Sequence, residues 1–116
     1  MILALFPITV FLVATAVHYK ALMCNDRVVE GLYRNHRDIW VRIGSPRGWS
    51  WRVPEARDFF LKPVITFRSA PPVWLEQAPE LESDYLTGQR MNKILGYVAF
   101  PLFALAVVIT AIVGFQ

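Results

Sequence analysis

The feature that most constrains this chain is the apolar stretch at its carboxyl end, residues 94–115. These twenty-two residues include no Asp, Glu, Lys, Arg or His. As an α-helix the stretch is roughly 33 Å long at about 1.5 Å per residue, enough to cross a hydrocarbon core of about 30 Å. A chain of 116 residues cannot cover a helix that is apolar on every side. We therefore predict a transmembrane helix over residues 93–116.

A second apolar run, residues 1–17, opens the chain and also lacks charged side chains. About seventeen residues is the lower limit for a span, and Lys20 can lengthen the run by directing its ammonium group back toward water. The alternative is a secretory signal peptide, because Ala-Thr-Ala at 14–16 resembles a cleavage site. A signal peptide would begin with a basic region, which is absent. We therefore expect an uncleaved transmembrane helix over residues 1–19.

The basic residues predict how the chain sits in the membrane. Positive charge close to the ends of a span favours the cytoplasmic side. Six basic residues flank the two spans on their connecting side, and the outer flanks carry none. These six are Lys20, Arg27, Arg34, Arg37, Arg90 and Lys93. The connecting segment, residues 20–92, should therefore be cytoplasmic and both termini should be outside.

The first half of the connecting segment has helical periodicity. Apolar residues recur at helical spacing through residues 22–43, with charged residues on the other face. We expect the first span to continue as an amphipathic helix, to break near Asn35 as the N-cap of a second short helix, and to stop at Gly44. Ser45 and Pro46 complete that turn. Trp40 falls on the apolar side of the short helix and is predicted to anchor the core of the cap.

Prolines divide the second half of the segment. Residues 47–53 alternate aromatic with small or basic side chains and predict an extended connector. Pro54 suits the first turn of another helix, residues 72–77 predict one helical turn, and Pro79 begins the last long helix, which Pro101 should kink. The predicted fold is an all-α membrane protein, with two transmembrane helices forming a hairpin and a cytoplasmic cap of short amphipathic helices.

Residues 32–46 (Leu-Tyr-Arg-Asn-His-Arg-Asp-Ile-Trp-Val-Arg-Ile-Gly-Ser-Pro) resemble a pattern in small two-span bacterial membrane proteins similar to universal stress protein B. In that pattern a basic-polar-His stretch is followed by an acidic residue, an aliphatic residue, Trp and Gly-x-Pro. Phe-Leu-Lys at 60–62 and the acidic turn at 80–84 are similar too. Arg37 departs from the pattern, since those proteins often have Pro there, and the Trp-Ser-Trp insert at 49–51 is foreign to it. The resemblance implies a double-spanning protein of the bacterial inner membrane with no catalytic residues.

Two groups of residues are candidates for interactions. Tryptophans interleaved with arginines can stack on single-stranded nucleic acid, but the same combination is typical of a membrane–water interface. We favour the interface because two spans hold this segment at a bilayer. Small residues spaced by four in the second span allow another helix to approach closely, either the first span or a helix of another subunit. The predicted interaction residues are Trp40, Trp49, Trp51 and Trp74 in the cap and Ala106, Thr110 and Gly114 in the span.

The sequence contains no constellation that predicts catalysis. Cys24, His18 and His36 lack the spacing of a zinc site, and no cofactor or small-molecule substrate is predicted. Neither span carries the charged groups that proton and ion pathways normally use. Two hypotheses remain. The first is a non-enzymatic accessory subunit, associated with lipid and packed on a larger membrane complex, for example a respiratory or photosynthetic one. The alternative is a free-standing stress-associated protein that acts on lipid through its cytoplasmic helices.

Overall fold

The computed structural model describes residues 2–57, 64–65 and 70–114, and the regular secondary structure within these ranges is all helical. The elements are α1 (Ile2–Asn35), α2 (Arg37–Arg42), 3-10 turns at Val73–Gln77 and Pro79–Leu81, α3 (Glu82–Ile94), a π-helical turn at Leu95–Ala99 and α4 (Phe100–Gly114). Two helices are long and apolar enough to cross a membrane, Leu5–Asn35 and Pro79–Gly114. The prediction of an all-helical chain with two such helices is confirmed for the described residues.

Helix α1 runs without interruption from the first apolar residues into the polar half of the molecule. Its threonines do not disturb the apolar surface, because Thr9 donates to the carbonyl of Leu5 at 2.7 Å and Thr15 to that of Phe11 at 2.8 Å. Such bonds satisfy a hydroxyl inside the helix itself, which matters where no water is available. The helix ends at Asn35, where a break was expected. The expected cap was wrong by one residue, since His36 occupies the N-cap position of α2 and makes no side-chain capping bond.

The second long helix is continuous but changes its hydrogen-bonding pattern ahead of Pro101. The amide of Phe100 bonds to the carbonyl of Leu95, five residues back, which is the π-helical pattern. Pro101 has no amide hydrogen, and its ring would collide with the carbonyl four residues earlier. A widened turn relieves this conflict without ending the helix. The disturbance expected from Pro101 therefore takes the form of a π-helical turn over Leu95–Ala99.

Helix α1 and the helix formed by α3, the π turn and α4 pack side by side in antiparallel directions. The contacting pairs are Gly31 with Leu81, Arg27 with Asp84, Cys24 with Gly88, and Phe11 with Phe103. From pair to pair, the residue number decreases along α1 and increases along its neighbour. All four pairs therefore fit one antiparallel alignment of the two helices. The molecule is correspondingly long and thin, 60 × 27 × 17 Å.

The hydrophobic core lies in the polar half of the molecule. It combines α1, α2, the 3-10 turns, α3 and Ile65, and its buried members are Cys24, Val28, Val29, Leu32, Ile39, Trp40, Ile65, Leu75, Ala78, Leu81 and Tyr85. The apolar half has a much smaller buried cluster, consisting of Ala14, Leu95 and Ala99. Only 11% of the apolar stretch of each long helix is buried. Most of the large apolar side chains that the structure describes in the apolar half therefore point away from the protein.

The end of α2 locks Trp40 into this core. The amide of Ser45 bonds to the carbonyl of Trp40 at 2.9 Å, and the amide of Gly44 bonds to that of Val41 at 3.1 Å. These two bonds form a Schellman motif, and Gly44 supplies the positive φ of 106° that the motif needs. The indole of Trp40 then donates to the carbonyl of Pro46 at 2.9 Å. The predictions that Gly44 ends the short helix and that Trp40 is buried in a hydrophobic core are confirmed.

The helix expected from Pro54 is wrong over the residues described. The chain makes a turn there, in which the amide of Ala56 donates to the carbonyl of Val53. The backbone amide of Arg57 then donates to the carbonyl of Ser45. Pro54 fits a turn as well as a helix start, because its fixed φ suits both. The helix was expected to continue through residue 67; residues 64–65 are not helical, and 58–63 and 66–67 lie outside the described residues. The single turn expected near 72–77 and the long helix expected from Pro79 are both present.

Replacing Trp40 by alanine should destabilise the cap. Trp40 is 2% exposed, and removing a buried tryptophan typically costs about 3–5 kcal/mol. We expect an earlier denaturation midpoint and faster proteolysis of the detergent-solubilised protein. Trp49→Ala is the matched control, since Trp49 is 56% exposed and its removal leaves no core cavity. Equal stability of the two variants would contradict the assigned role of Trp40.

Candidate interaction surface

The four tryptophans occupy different environments. Trp40 is buried, whereas Trp51 and Trp74 are half-buried. Trp51 packs on Tyr33 with ring centroids 5.2 Å apart, and Trp74 packs edge-on against Tyr85, which belongs to the core. Trp49 is the exception, because more than half of its surface is exposed and its nearest ring is that of Tyr19. Of the predicted cap residues, Trp49 is the one that the fold presents most openly to a partner or to lipid.

A buried carboxylate holds the loop that carries Trp49. Asp26 lies on α1 and is 6% exposed. Its Oδ1 accepts a hydrogen bond from the amide of Trp49 at 2.5 Å. Its Oδ2 accepts two hydrogen bonds from Ser50, one from the amide at 3.0 Å and one from the hydroxyl at 2.5 Å. A side chain at Gly48 would collide with the same carboxylate, so glycine is needed there. Three donors compensate the loss of water around the charge, and the loop is tied to α1.

The neighbouring Asn25 holds a second part of the connecting segment in the same way. Its Oδ1 accepts the amides of Val64 at 2.9 Å and Ile65 at 3.2 Å. From the other long helix, Asn92 donates to the carbonyl of Ile65 at 3.4 Å. Ile65 is thereby fixed with its side chain beside Gly88, to which Cys24 of α1 also comes close. A Cβ placed on Gly88 would lie 2.7 Å from the Ile65 side chain, so the three elements meet with no room to spare.

Polar contacts also close the far end of the cap. His36, at the break after α1, forms a short hydrogen bond with Glu80 in the second 3-10 turn. Hydrogen bonding to its own backbone, followed by the bond from His36, lowers the pKa of Glu80 from its ordinary value of 4.5. Because the pKa of Glu80 is lower in the folded state, these hydrogen bonds stabilise the fold fully at pH values above 4.5. Their contribution is lost as the pH falls through the folded-state pKa of Glu80.

Arg37 reinforces the aromatic cluster of the cap. Its guanidinium lies 3.5 Å from the centre of the Tyr33 ring, and its Nε donates to the Tyr33 carbonyl at 2.7 Å. The Tyr33 ring in turn meets Trp40 edge-on, with centroids 4.9 Å apart. Exposed cation–π contacts of this kind contribute about 0.5–1 kcal/mol each. The arginine at position 37, which departs from the resembled pattern, therefore has a structural use in this chain.

The small-residue stripe of α4, the predicted second span, is only partly covered by the described residues. Ala106 is buried at 1% exposure, in the region where α4 packs against α1. Thr110 is half-buried and donates to the Ala106 carbonyl at 2.8 Å. Among the residues that the structure describes, none has an atom within 4 Å of a Cβ added to Gly114. The inner end of the stripe therefore serves the chain itself, and the outer end is open.

Sequence reasoning missed Asn25, Asp26 and Gly88, which position most of this surface. Asp26 was grouped with the solvent-exposed charges. A signal for its burial was present, because it shares one helical stripe with Leu22 and Val29 at spacings of four and three residues. No local signal shows which amides it binds. Among the described residues, no cluster of three or more His, Cys, Asp or Glu side chains could hold a metal ion.

Asp26→Asn should loosen the loop that carries Trp49. The asparagine side chain has nearly the same shape as that of aspartate. One carboxylate oxygen is replaced by an NH2 group, which cannot accept hydrogen bonds from the donors of the loop. Hydrogen bonds to a charged group contribute about 1.5–3 kcal/mol, so loss of one should increase loop opening about tenfold or more. Faster tryptic cleavage after Arg47 or Arg52, at unchanged helix content, would report it.

Asp38→Asn is the matched control for this experiment. Asp38 pairs with Arg42 at 3.5 Å, and its side chain is 77% exposed. Exposed ion pairs contribute little, a median of about 0–1 kcal/mol. Cleavage of this variant should follow that of the parent. If Asp26→Asn were cleaved no faster than Asp38→Asn, the carboxylate would not be what holds the loop.

The chain matches no protein-family model, no curated protein and no solved structure. The resemblance of residues 32–46 to proteins similar to universal stress protein B therefore stays a prediction.

Proposed function

We propose that this protein is a non-enzymatic subunit of the bacterial inner membrane that packs on a larger membrane complex. Its two apolar helices would form a transmembrane hairpin, and residues 20–92 would form a cytoplasmic cap. Complexes with many helices, such as respiratory or photosynthetic assemblies, are suitable hosts.

The contrast between the two halves of the molecule carries this proposal. The polar half closes a core of its own, which includes Trp40, Tyr85 and Leu32, each no more than 2% exposed. The apolar half leaves its large side chains exposed, among them Phe100 at 58% and Leu12 at 61%. Because water would penalise such a surface heavily, lipid or other transmembrane helices must cover it. The open outer end of the small-residue stripe, at Gly114, supports a helix partner there.

The same burial pattern weakens the alternative of a stress-associated protein acting on lipid through its cytoplasmic helices. A helix that lies on a bilayer needs a free apolar face. In α2 the side chains of Ile39 and Trp40 are 1% and 2% exposed, because they pack into the cap. Val41 is exposed, but a single apolar side chain is a small membrane contact. The accessory-subunit hypothesis is therefore preferred.

The proposed orientation can be tested by cysteine labelling. In a Cys24→Ala background, we expect a cysteine at position 116 to react with a membrane-impermeant reagent added to intact cells. A cysteine at position 47 should react only after the cells are opened, because basic residues flank the spans on that side. The reverse pattern of labelling would contradict the orientation.

The proposed partnership can be tested by native electrophoresis after extraction in mild detergent. We expect the tagged protein to migrate with other membrane subunits, and Gly114→Leu to weaken that association by filling the open end of the stripe. Val113→Leu is the control, since it adds bulk one residue away, off the stripe, at a position already 41% exposed. If the parent protein migrates alone, the proposal of an accessory subunit is wrong.

A further inference from the structure

Trp49 and Tyr19 lie together where the apolar half of α1 gives way to its polar half. Their rings meet edge-on with centroids 6.4 Å apart, and each residue is 56% exposed. The residues before Tyr19 are almost all apolar, and Lys20 follows it. Within the described part of the chain, the indole N–H of Trp49 has no hydrogen-bond partner. Two amphipathic rings thus stand exposed at one level, each with an apolar body and a polar tip.

The Asp26 carboxylate fixes the backbone at Trp49, whose ring lies against that of Tyr19. Asp26 and Tyr19 are seven residues apart, so they share one face of α1 and are separated by roughly 10 Å at about 1.5 Å per residue. The loop is bound at Asp26, and its indole reaches along the helix to Tyr19, toward the apolar half. The fold therefore uses a buried charge with three donors to direct an exposed tryptophan at this boundary.

Positive charge surrounds the same level of the molecule. Lys93 on the neighbouring helix lies level with Tyr19, given the antiparallel pairing of Cys24 with Gly88 and Phe11 with Phe103. Lys20 and Lys93 are both exposed, and neither forms an ion pair within the described residues. Basic side chains at a membrane surface attract anionic lipid. Tyr97, one turn beyond Lys93, is 66% exposed.

We propose that Tyr19, Trp49, Lys20 and Lys93 form a surface that binds phospholipid headgroups, with a preference for anionic ones, and that Asp26 positions Trp49 for this contact. Aromatic rings with a polar tip are favoured at the headgroup level, where the ring body meets acyl chains and the N–H or O–H meets polar groups. The lysines would supply the preference for negative charge. This inference rests on membrane insertion in the proposed function, but it does not depend on the partner complex.

The experiment uses the full-length protein in vesicles of phosphatidylcholine with a minor fraction of phosphatidylglycerol. Bromine atoms high on the acyl chains quench nearby tryptophan fluorescence. The contribution of Trp49 is the difference between the parent and Trp49→Phe. We expect most of the shallow quenching to disappear in Trp49→Phe and to persist in Trp74→Phe, because Trp74 packs on Tyr85 inside the cap.

Two further variants test the positioning and the charge. Asp26→Asn should shift Trp49 out of the quenched zone while helix content stays constant, which a merely stabilising role would not predict. At equal mole fraction, brominated phosphatidylglycerol should quench Trp49 more than brominated phosphatidylcholine does. In the double variant Lys20→Gln, Lys93→Gln, the two brominated lipids should quench Trp49 equally.

The outcomes separate this inference from the proposed function. Failure of the protein to float with vesicles after alkaline extraction would refute membrane insertion, and with it both proposals. Insertion without quenching of Trp49 would refute the headgroup surface alone. Equal quenching by both lipids in the parent would refute the anionic preference.

Discussion

The fold depends on two adjacent polar side chains, Asn25 and Asp26, that face inward from the middle of α1. The segment between the long helices has little regular structure over its described residues, so many of its backbone amides need partners elsewhere. Asp26 binds the amides of Trp49 and Ser50, and Asn25 binds those of Val64 and Ile65. An unpaired buried charge would cost several kcal/mol, on the order of 3–5. The connecting segment therefore needs these two side chains as acceptors for its amides, and the buried side chains need those amides as donors.

This arrangement also determines how closely the long helices approach. Ile65, held by Asn25, is 1% exposed and inserts beside Gly88. The position that a Cβ of Gly88 would take is also only 3.0 Å from the Cβ of Cys24. Glycine is thus needed where α1, α3 and the connecting segment converge. Arg27 and Asp84, which are 3.2 Å apart, lie one turn away and favour the same register. Packing and polar contacts therefore specify one alignment of the pair.

The parts of this fold that follow from local chemistry could be predicted. The two apolar stretches, the break at Asn35, the cap at Gly44 and the burial of Trp40 each leave a signal within a few residues. Pro54 was misjudged because a helix start and a turn use proline alike. The hydrogen-bond partners of Asp26 could not be predicted, since they lie 23 and 24 residues away and no local signal shows which amides it binds. The candidate surface could not be predicted for the same reason, because Asp26 holds the loop that carries Trp49.

The two halves of the molecule bury different kinds of side chain, as the proposed insertion of the apolar half into lipid would require. In water, burial of apolar surface drives packing, and the polar half accordingly buries Trp40, Tyr85 and Leu32 almost completely. In lipid that drive is absent, so helices associate where small residues allow close contact. The buried residues of the apolar half fit this rule, since Ala14, Ala99 and Ala106 are alanines and Leu95 lies nearest the cap. The bulky side chains on the rest of that surface gain nothing from pairing within the chain, which leaves them available to lipid or to neighbouring helices.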